Sequence, residues 1–127
     1  MSEHEYGHTE TGLIMAALKA GQVLLGMQGS AKKVTKSRRD FVTDADHRSD
    51  ETIREVLTSF FGRNLTIYSE ESGGSLNATG DIAIVDALDG TVNYWYGDRT
   101  WAISIAIVRD GKAKSGMIYA PQAERIY

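Results

Sequence analysis

Three acidic clusters hold the side chains of this chain that could do chemistry. Asp86-Ala-Leu-Asp89-Gly90-Thr91 closes the hydrophobic run that begins at Ile82. Glu70-Glu71 follows the apolar stretch Leu65 to Tyr68, and Asp46 ends Asp40-Phe-Val-Thr-Asp-Ala-Asp46, ahead of an amphipathic stretch. A carboxylate set against a core is costly unless it is paired or binds a metal. A buried strand that ends on Asp86, with Asp89 close behind, therefore needs partners for its acids. A bland account exists, because short acids cap helices and Asp89-Gly90-Thr91 could open a helical turn. Two familiar acid motifs do not fit. An EF-hand loop needs acids at its first, third and fifth positions and Gly at the sixth, which neither DALDGT nor DADHRS supplies. Phosphatases that form an aspartyl phosphate use Asp-x-Asp-Gly-Thr, and the extra residue between Asp86 and Asp89 moves the second acid off that geometry. The third option is a two-metal site, in which one carboxylate bridges two cations and its neighbour completes one of them. Glu70-Glu71 and Asp46 favour it, since each cluster sits at an end of a regular element and all could converge at one sheet edge.

The elements that must position these acids follow from periodicity. Leu13, Ala17, Ala20, Leu24 and Met27 predict a helix over Thr9 to Met27, weakened by Gly12, Gly21 and Gly26. Ile53, Val56, Leu57, Phe60 and Phe61 fall on one face of a second helix. Asp46, Asp50 and Glu51 load its first turn, where the macrodipole favours acids, and Gly62 stands at its C-terminal cap. Between the helices, AKKVTKSRR reads as a loop, either a solvated connector or an anion-binding flap. Strands are expected at Leu65–Tyr68, Ile82–Asp86, Trp101–Val108 and Lys112–Ala120. Asp110-Gly111 marks a two-residue hairpin, Pro121 stops the last long strand, and a further extended run begins at Glu124. The strands Trp101–Val108 and Lys112–Ala120 are apolar on both faces, so they call for neighbours above and below.

Composition narrows the chemistry. The 127 residues suffice for one domain with a modest core. Without cysteine there is neither a disulfide framework nor a thiolate metal site. Any metal must then take oxygen or imidazole ligands, which favours hard cations such as Mg²⁺, Ca²⁺ or Mn²⁺. His4, His8 and His47 have no ligand spacing and read as surface residues. A net charge of −3 does not suggest a general nucleic-acid binder. No apolar run is long enough to span a membrane, and the polar, acidic start does not read as a signal peptide, so a cytoplasmic location is expected. Tyr94, Trp95, Tyr96 and Trp101 are read either as a substrate mouth or as core or dimer packing.

DFVTDAD, YSEES and IVDALDGTVNYWYGDRTWAISIAIV, in this order and spacing, resemble the inositol monophosphatase family of metal-dependent, lithium-sensitive sugar phosphatases. The likeness covers about Val34 to Tyr127. It implies an α+β fold, the N-terminal half of a layered α/β sandwich in which two helices pack on a largely antiparallel sheet. By this resemblance Glu70 is similar to the family's first-metal ligand, Asp86 to the carboxylate that bridges two metals, and Asp89 to the ligand of the second. Leu88 stands where a backbone carbonyl binds metal. Thr91 and Asp46 match the pair that positions the attacking water. The Gly90 and Thr91 N–H groups would hold phosphate, and Glu71 would orient bound water. The implied cofactor is Mg²⁺, two or three ions, with Mn²⁺ possible and Li⁺ inhibitory. The implied substrate is a small phosphorylated sugar or polyol, with no nucleic acid or membrane partner, and a homodimer is expected. Ala87 departs from the family's Pro, and Ser69 from its frequent Gly. Family members are about twice as long, and their later half carries another metal-binding aspartate. Residues 1–127 thus read as the N-terminal metal-binding part of such a domain. The functional reading is an Mg²⁺-dependent phosphomonoesterase; the alternative is a non-catalytic fragment that serves as a metal-binding or dimerisation module.

Overall fold

The computed structural model describes residues 2–34, 41–76 and 79–127. Helix α1 spans Glu3–Met27 and starts ahead of the expected Thr9. The Ser2 hydroxyl accepts from the Glu5 N–H at 3.2 Å, and Glu3 and Glu5 occupy the first turn. A capped, acid-loaded turn extends a helix without any apolar periodicity. Gly12 and Gly21 are packing sites and not weak points. A Cβ at either would lie 2.5 Å from a ring carbon, of Phe60 at Gly12 and of Tyr119 at Gly21.

Helix α2, Asp44–Phe61, begins in a capping box between Thr43 and Asp46 and ends at Gly62, whose φ is +86°. Its first-turn acids are Asp44 and Asp46, so Asp50 and Glu51 fall beyond the turn in which they were expected. Ile53 and Leu57 are fully buried against α1 and the sheet.

Strands β1 (Thr66–Ser69), β2 (Asp81–Asp89), β3 (Ala102–Arg109), β4 (Lys112–Ala120) and β5 (Arg125–Ile126) form one sheet in that order. β1 runs parallel to β2 and every other pairing is antiparallel. The expected layered α+β arrangement, with both long helices on a largely antiparallel sheet, is the one observed. Asp110 (φ +52°) and Gly111 (φ +75°) form the hairpin turn between β3 and β4, with both residues in the conformation that a right-twisted two-residue connection requires. Pro121 ends β4 by opening the 3-10 turn Pro121–Ala123.

The sheet register sorts the side chains into two faces. Ala83 pairs Ile107, Val85 pairs Ile105, and Ile105 pairs Met117, all in the cluster beneath the helices. On the other face Ile82 is buried but Ile84 and Ile118 stay 38% and 46% exposed, so among the described residues that face is only partly covered. Strand β2 does not stop at Asp86 as expected. It continues through Asp89, with a register shift between the two aspartates. Among the described residues no helix is long and apolar enough to cross a membrane. Of the basic stretch read as a loop or flap, residues 35–39 lie outside the described residues. Lys33, in its described part, forms a bridge with Thr43.

Candidate functional site

The bulge in β2 is where the site begins. A β-bulge re-aims side chains that strict alternation would send to opposite faces. The Ser49 hydroxyl of α2 donates to the Ala87 carbonyl at 2.7 Å in a fully buried contact, tying the bulge to the helix. After Asp89 the chain turns at Gly90, with φ +90°, into the short helix α3, Thr91–Trp95. A Cβ at Gly90 would sit 2.9 Å from the Thr100 carbonyl oxygen, so both conformation and space demand glycine there. α3 is anchored by Tyr94, whose hydroxyl donates to the Leu24 carbonyl at 2.6 Å and whose ring meets Trp101 edge-on at 5.1 Å. Tyr94 and Trp101 are therefore core, Trp95 is half-buried beside Phe41, and Tyr96 is exposed.

A cleft of about 340 Å³ opens beside this turn, and its walls include Glu70, Glu71, Asp86, Leu88, Asp89, Gly90 and Thr91. Asp46, the remaining candidate, lies behind the wall at 1% exposure. It is joined to the cleft by the Thr91 hydroxyl, which donates to Asp46 Oδ1 at 2.8 Å. Asp46 Oδ2 accepts from the Thr43 N–H at 2.9 Å and from its hydroxyl at 2.7 Å. Asp46 thus serves as both the capping-box acid of α2 and the partner of Thr91. A larger cleft of about 590 Å³ adjoins the first, sharing Asp89, Gly90 and Asn93 and reaching Arg99, Trp101 and Gln122.

The glutamates sit on a tight turn after β1. Ser69 and Gly73 exchange backbone hydrogen bonds of 3.1 and 2.7 Å across it, leaving Glu70 exposed and Glu71 half-buried. Two residues read differently from sequence belong here. His47, expected on the surface without a role, is exposed, but its Nδ1 lies 3.7 Å from Glu71 Oε2. Asp50, expected to serve the helix dipole, is 1% exposed. Its Oδ2 accepts from Arg54 Nε at 3.3 Å and from the Ser72 hydroxyl. The Thr-x-x-Asp pattern before an apolar run could have disclosed the Thr43–Asp46 pair; no local pattern discloses the rest.

Acids gathered in one cleft repel each other. Burial, then Asp46, pushes the Glu71 carboxyl up to about 7, with Asp50 and Glu70 adding to the rise and His47 opposing it. Asp86 is also raised, first by burial and then by Asp89, against the Leu88 N–H that lowers it. Among the described residues no Lys or Arg forms an ion pair with Glu70, Asp86 or Asp89. An all-oxygen donor set with uncompensated negative charge fits a hard divalent cation. The arrangement is open: among the described residues no group of three Asp, Glu or His side chains stands ready to enclose an ion.

The chain is similar to several proteins, and it spans less than half the length of those cited here. The Nus factor SuhB of Pasteurella multocida is 35% identical over 118 residues, covering 90% of this chain and 44% of that protein. A fructose-1,6-bisphosphatase/inositol-1-monophosphatase of Aquifex aeolicus is 34% identical over 116 residues, covering 89% of this chain and 44% of that protein. The crystal structure of the extragenic suppressor protein suhB from Bartonella henselae superposes with a TM-score of 0.83 at 29% identity, over 93% of this chain and 47% of that one. Residues 8–127 match the inositol monophosphatase family as a whole, and the chain belongs to that family.

Proposed function

We propose that this chain supplies the cation and phosphate site of a divalent-cation-dependent phosphomonoesterase acting on a small phosphorylated sugar or polyol. On this reading residues 1–127 are the N-terminal metal-binding part of the domain. The observation that carries it is the convergence of Glu70, Glu71, Asp86, Leu88, Asp89, Gly90 and Thr91 on one cleft, with no basic partner for the outer carboxylates among the described residues. Membership of the family supports the phosphatase class.

Glu70, Asp86 and the Leu88 carbonyl would hold one cation, Mg²⁺ or Mn²⁺, and Asp86 with Asp89 a second. When bound, such ions neutralise phosphate charge, acidify water and stabilise a leaving oxygen. The chain's own residues do the rest. The Thr91 hydroxyl donates to Asp46 Oδ1 at 2.8 Å, which leaves the Thr91 oxygen as an acceptor for a proton of the attacking water. A hydroxyl has one proton and two lone pairs, so this bond fixes which role Thr91 plays. The two Thr43 donors hold Asp46 in place for it. Backbone N–H groups at Gly90 and Thr91, where α3 opens, suit a phosphate oxygen. Glu71 orients water from beside the ligands.

A calorimetric titration with Mn²⁺ tests the assignment. Asp86→Asn should weaken both cations, and Asp89→Asn should spare the first. Equal affinity in the wild-type chain and Asp86→Asn would sink it. A second reading, a metal-binding module without turnover, is favoured by the open ligand arrangement among the described residues. A phosphatase assay with Mg²⁺, run beside size-exclusion chromatography for the expected homodimer, separates the two readings.

A further inference from the structure

The turn that carries Glu70 and Glu71 is held from outside by one guanidinium. Arg54 is on α2, one helical turn after Asp50. Its Nε donates to Asp50 Oδ2 at 3.3 Å. Its Nη2 donates to the Gly73 carbonyl at 3.0 Å, to Ser69 Oγ at 3.3 Å and to the Ile67 carbonyl at 3.4 Å. Those acceptors lie on the last residues of β1 and on both ends of the turn. Asp50 completes the clamp from the other side by accepting from the Ser72 hydroxyl, and Ser69 Oγ also accepts from the Ser72 N–H at 3.1 Å. Asp50 Oδ1 is buried without a partner among the described residues. An ionised carboxylate in that setting is tolerated only with a cation beside it, and Arg54 is that cation.

We propose that Arg54 is a positioning residue for the Glu70-Glu71 turn: it fixes the Ser69–Gly73 loop so that both glutamates face the acidic cleft, and so sets the affinity of the cleft for a divalent cation. This rests on the cation site proposed above. The effect is geometric. Lysine would keep a positive charge beside Asp50, but a single ammonium lacks the planar fork that reaches the helix carboxylate and the loop carbonyls together. Groups that orient a metal ligand without touching the metal commonly account for about 10–100-fold in affinity.

The test compares the wild-type chain with Arg54→Lys and with Arg109→Met as a control. Arg109 pairs with Asp81 at the far end of β2, away from the cleft. The first readout is amide hydrogen exchange in chelator, without metal. Arg54→Lys should exchange at Gly73 and Ser72 about 10-fold faster than wild type, with protection in α2 and β3 unchanged. The second is Mn²⁺ affinity by calorimetry, expected to fall about 10-fold in Arg54→Lys and not at all in Arg109→Met. If Arg54→Lys does not fold, Ser69→Ala probes the same clamp from the turn's side with the same expected changes. Wild-type exchange at Gly73 together with wild-type Mn²⁺ affinity would overturn the proposal while leaving the cation site standing. A wild-type chain that binds no Mn²⁺ would overturn the cation site and the affinity claim with it; the exchange readout then decides the clamp by itself.

Discussion

Glu71 makes the stability of the metal-free chain depend on pH in a direction opposite to that of a salt-bridged acid. Its side chain is 13% exposed, and its carboxyl is raised from 4.5 to about 7 by burial and by Asp46, with smaller contributions from Asp50 and Glu70. Between these two values the folded chain holds a proton that the unfolded chain has released. Stability is therefore complete below pH 4.5 and is lost as pH rises through about 7. At about 1.36 kcal/mol per pH unit the interval sets a ceiling of roughly 3.4 kcal/mol. Solvent and salt reach the cleft, so about 1–2 kcal/mol is the expected loss. For a chain of this length that is a fall of about 4–8 °C in melting temperature. Asp86 is raised too and adds a loss of the same sign. Asp81, lowered by its hydrogen bond to Arg109, acts the other way, but only as pH falls through its own lowered range. The assay is thermal unfolding in chelator from pH 4.5 to 8.5, for wild type and Glu71→Gln. The variant should melt about 4–8 °C above wild type at pH 8 and within a degree or two of it at pH 4.5. Parallel curves, or a wild-type chain that gains stability across the interval, would refute the reasoning. Added Mg²⁺ should reverse the trend, because cation binding competes with the proton and strengthens as pH rises.

Thr91→Ala leaves Asp46 its two Thr43 donors, so unfolding in urea should show a loss of about 1–2 kcal/mol. Mn²⁺ affinity should stay at the wild-type value, and any turnover should fall in kcat more than KM rises. Gly90→Ala meets the Thr100 carbonyl at 2.9 Å with φ at +90°, and should cost at least about 2 kcal/mol in a urea melt. Within α1 the same substitution should have opposite signs at two positions. Gly12→Ala drives a methyl to 2.5 Å from Phe60 and should destabilise by about 1–3 kcal/mol. Gly26→Ala enters open space and should stabilise by about 0.5–1 kcal/mol; matching signs in paired denaturation curves would contradict the packing account.

What could be read from the chain beforehand follows the range of the interactions involved. The apolar face of α2, the Asp110-Gly111 turn and the stop at Pro121 depend on residues within a few positions of one another, and all stand where periodicity and turn chemistry put them. The acidic clusters were legible for a different reason. A carboxylate drawn into the end of a buried strand is costly unless it has a partner, so Asp86 marks a candidate site before any geometry is known. The course of β2 was not legible. Whether it stops at Asp86 or bulges through to Asp89 depends on Ser49 reaching the Ala87 carbonyl from 38 residues away. The glycines of α1 failed in the same way: locally Gly12 weakens a helix, and only the approach of Phe60 and Phe61 gives its missing side chain a use. Asp50 is the sharpest instance. Near a helix N-terminus an aspartate has a sufficient local reason to exist, and that reason hid the other one. Its spacing to Arg54 was visible as an i, i+4 pair, which on a solvated face is worth a few tenths of a kcal/mol. Burial changes the meaning of the same pair. At 2% exposure of the Asp50 side chain, the carboxylate needs the guanidinium, and the guanidinium's Nη2 donates to the turn that carries the glutamates. Residues with an adequate local explanation, such as Asp50 and Gly12, are therefore where reading this sequence alone was least able to find the tertiary one.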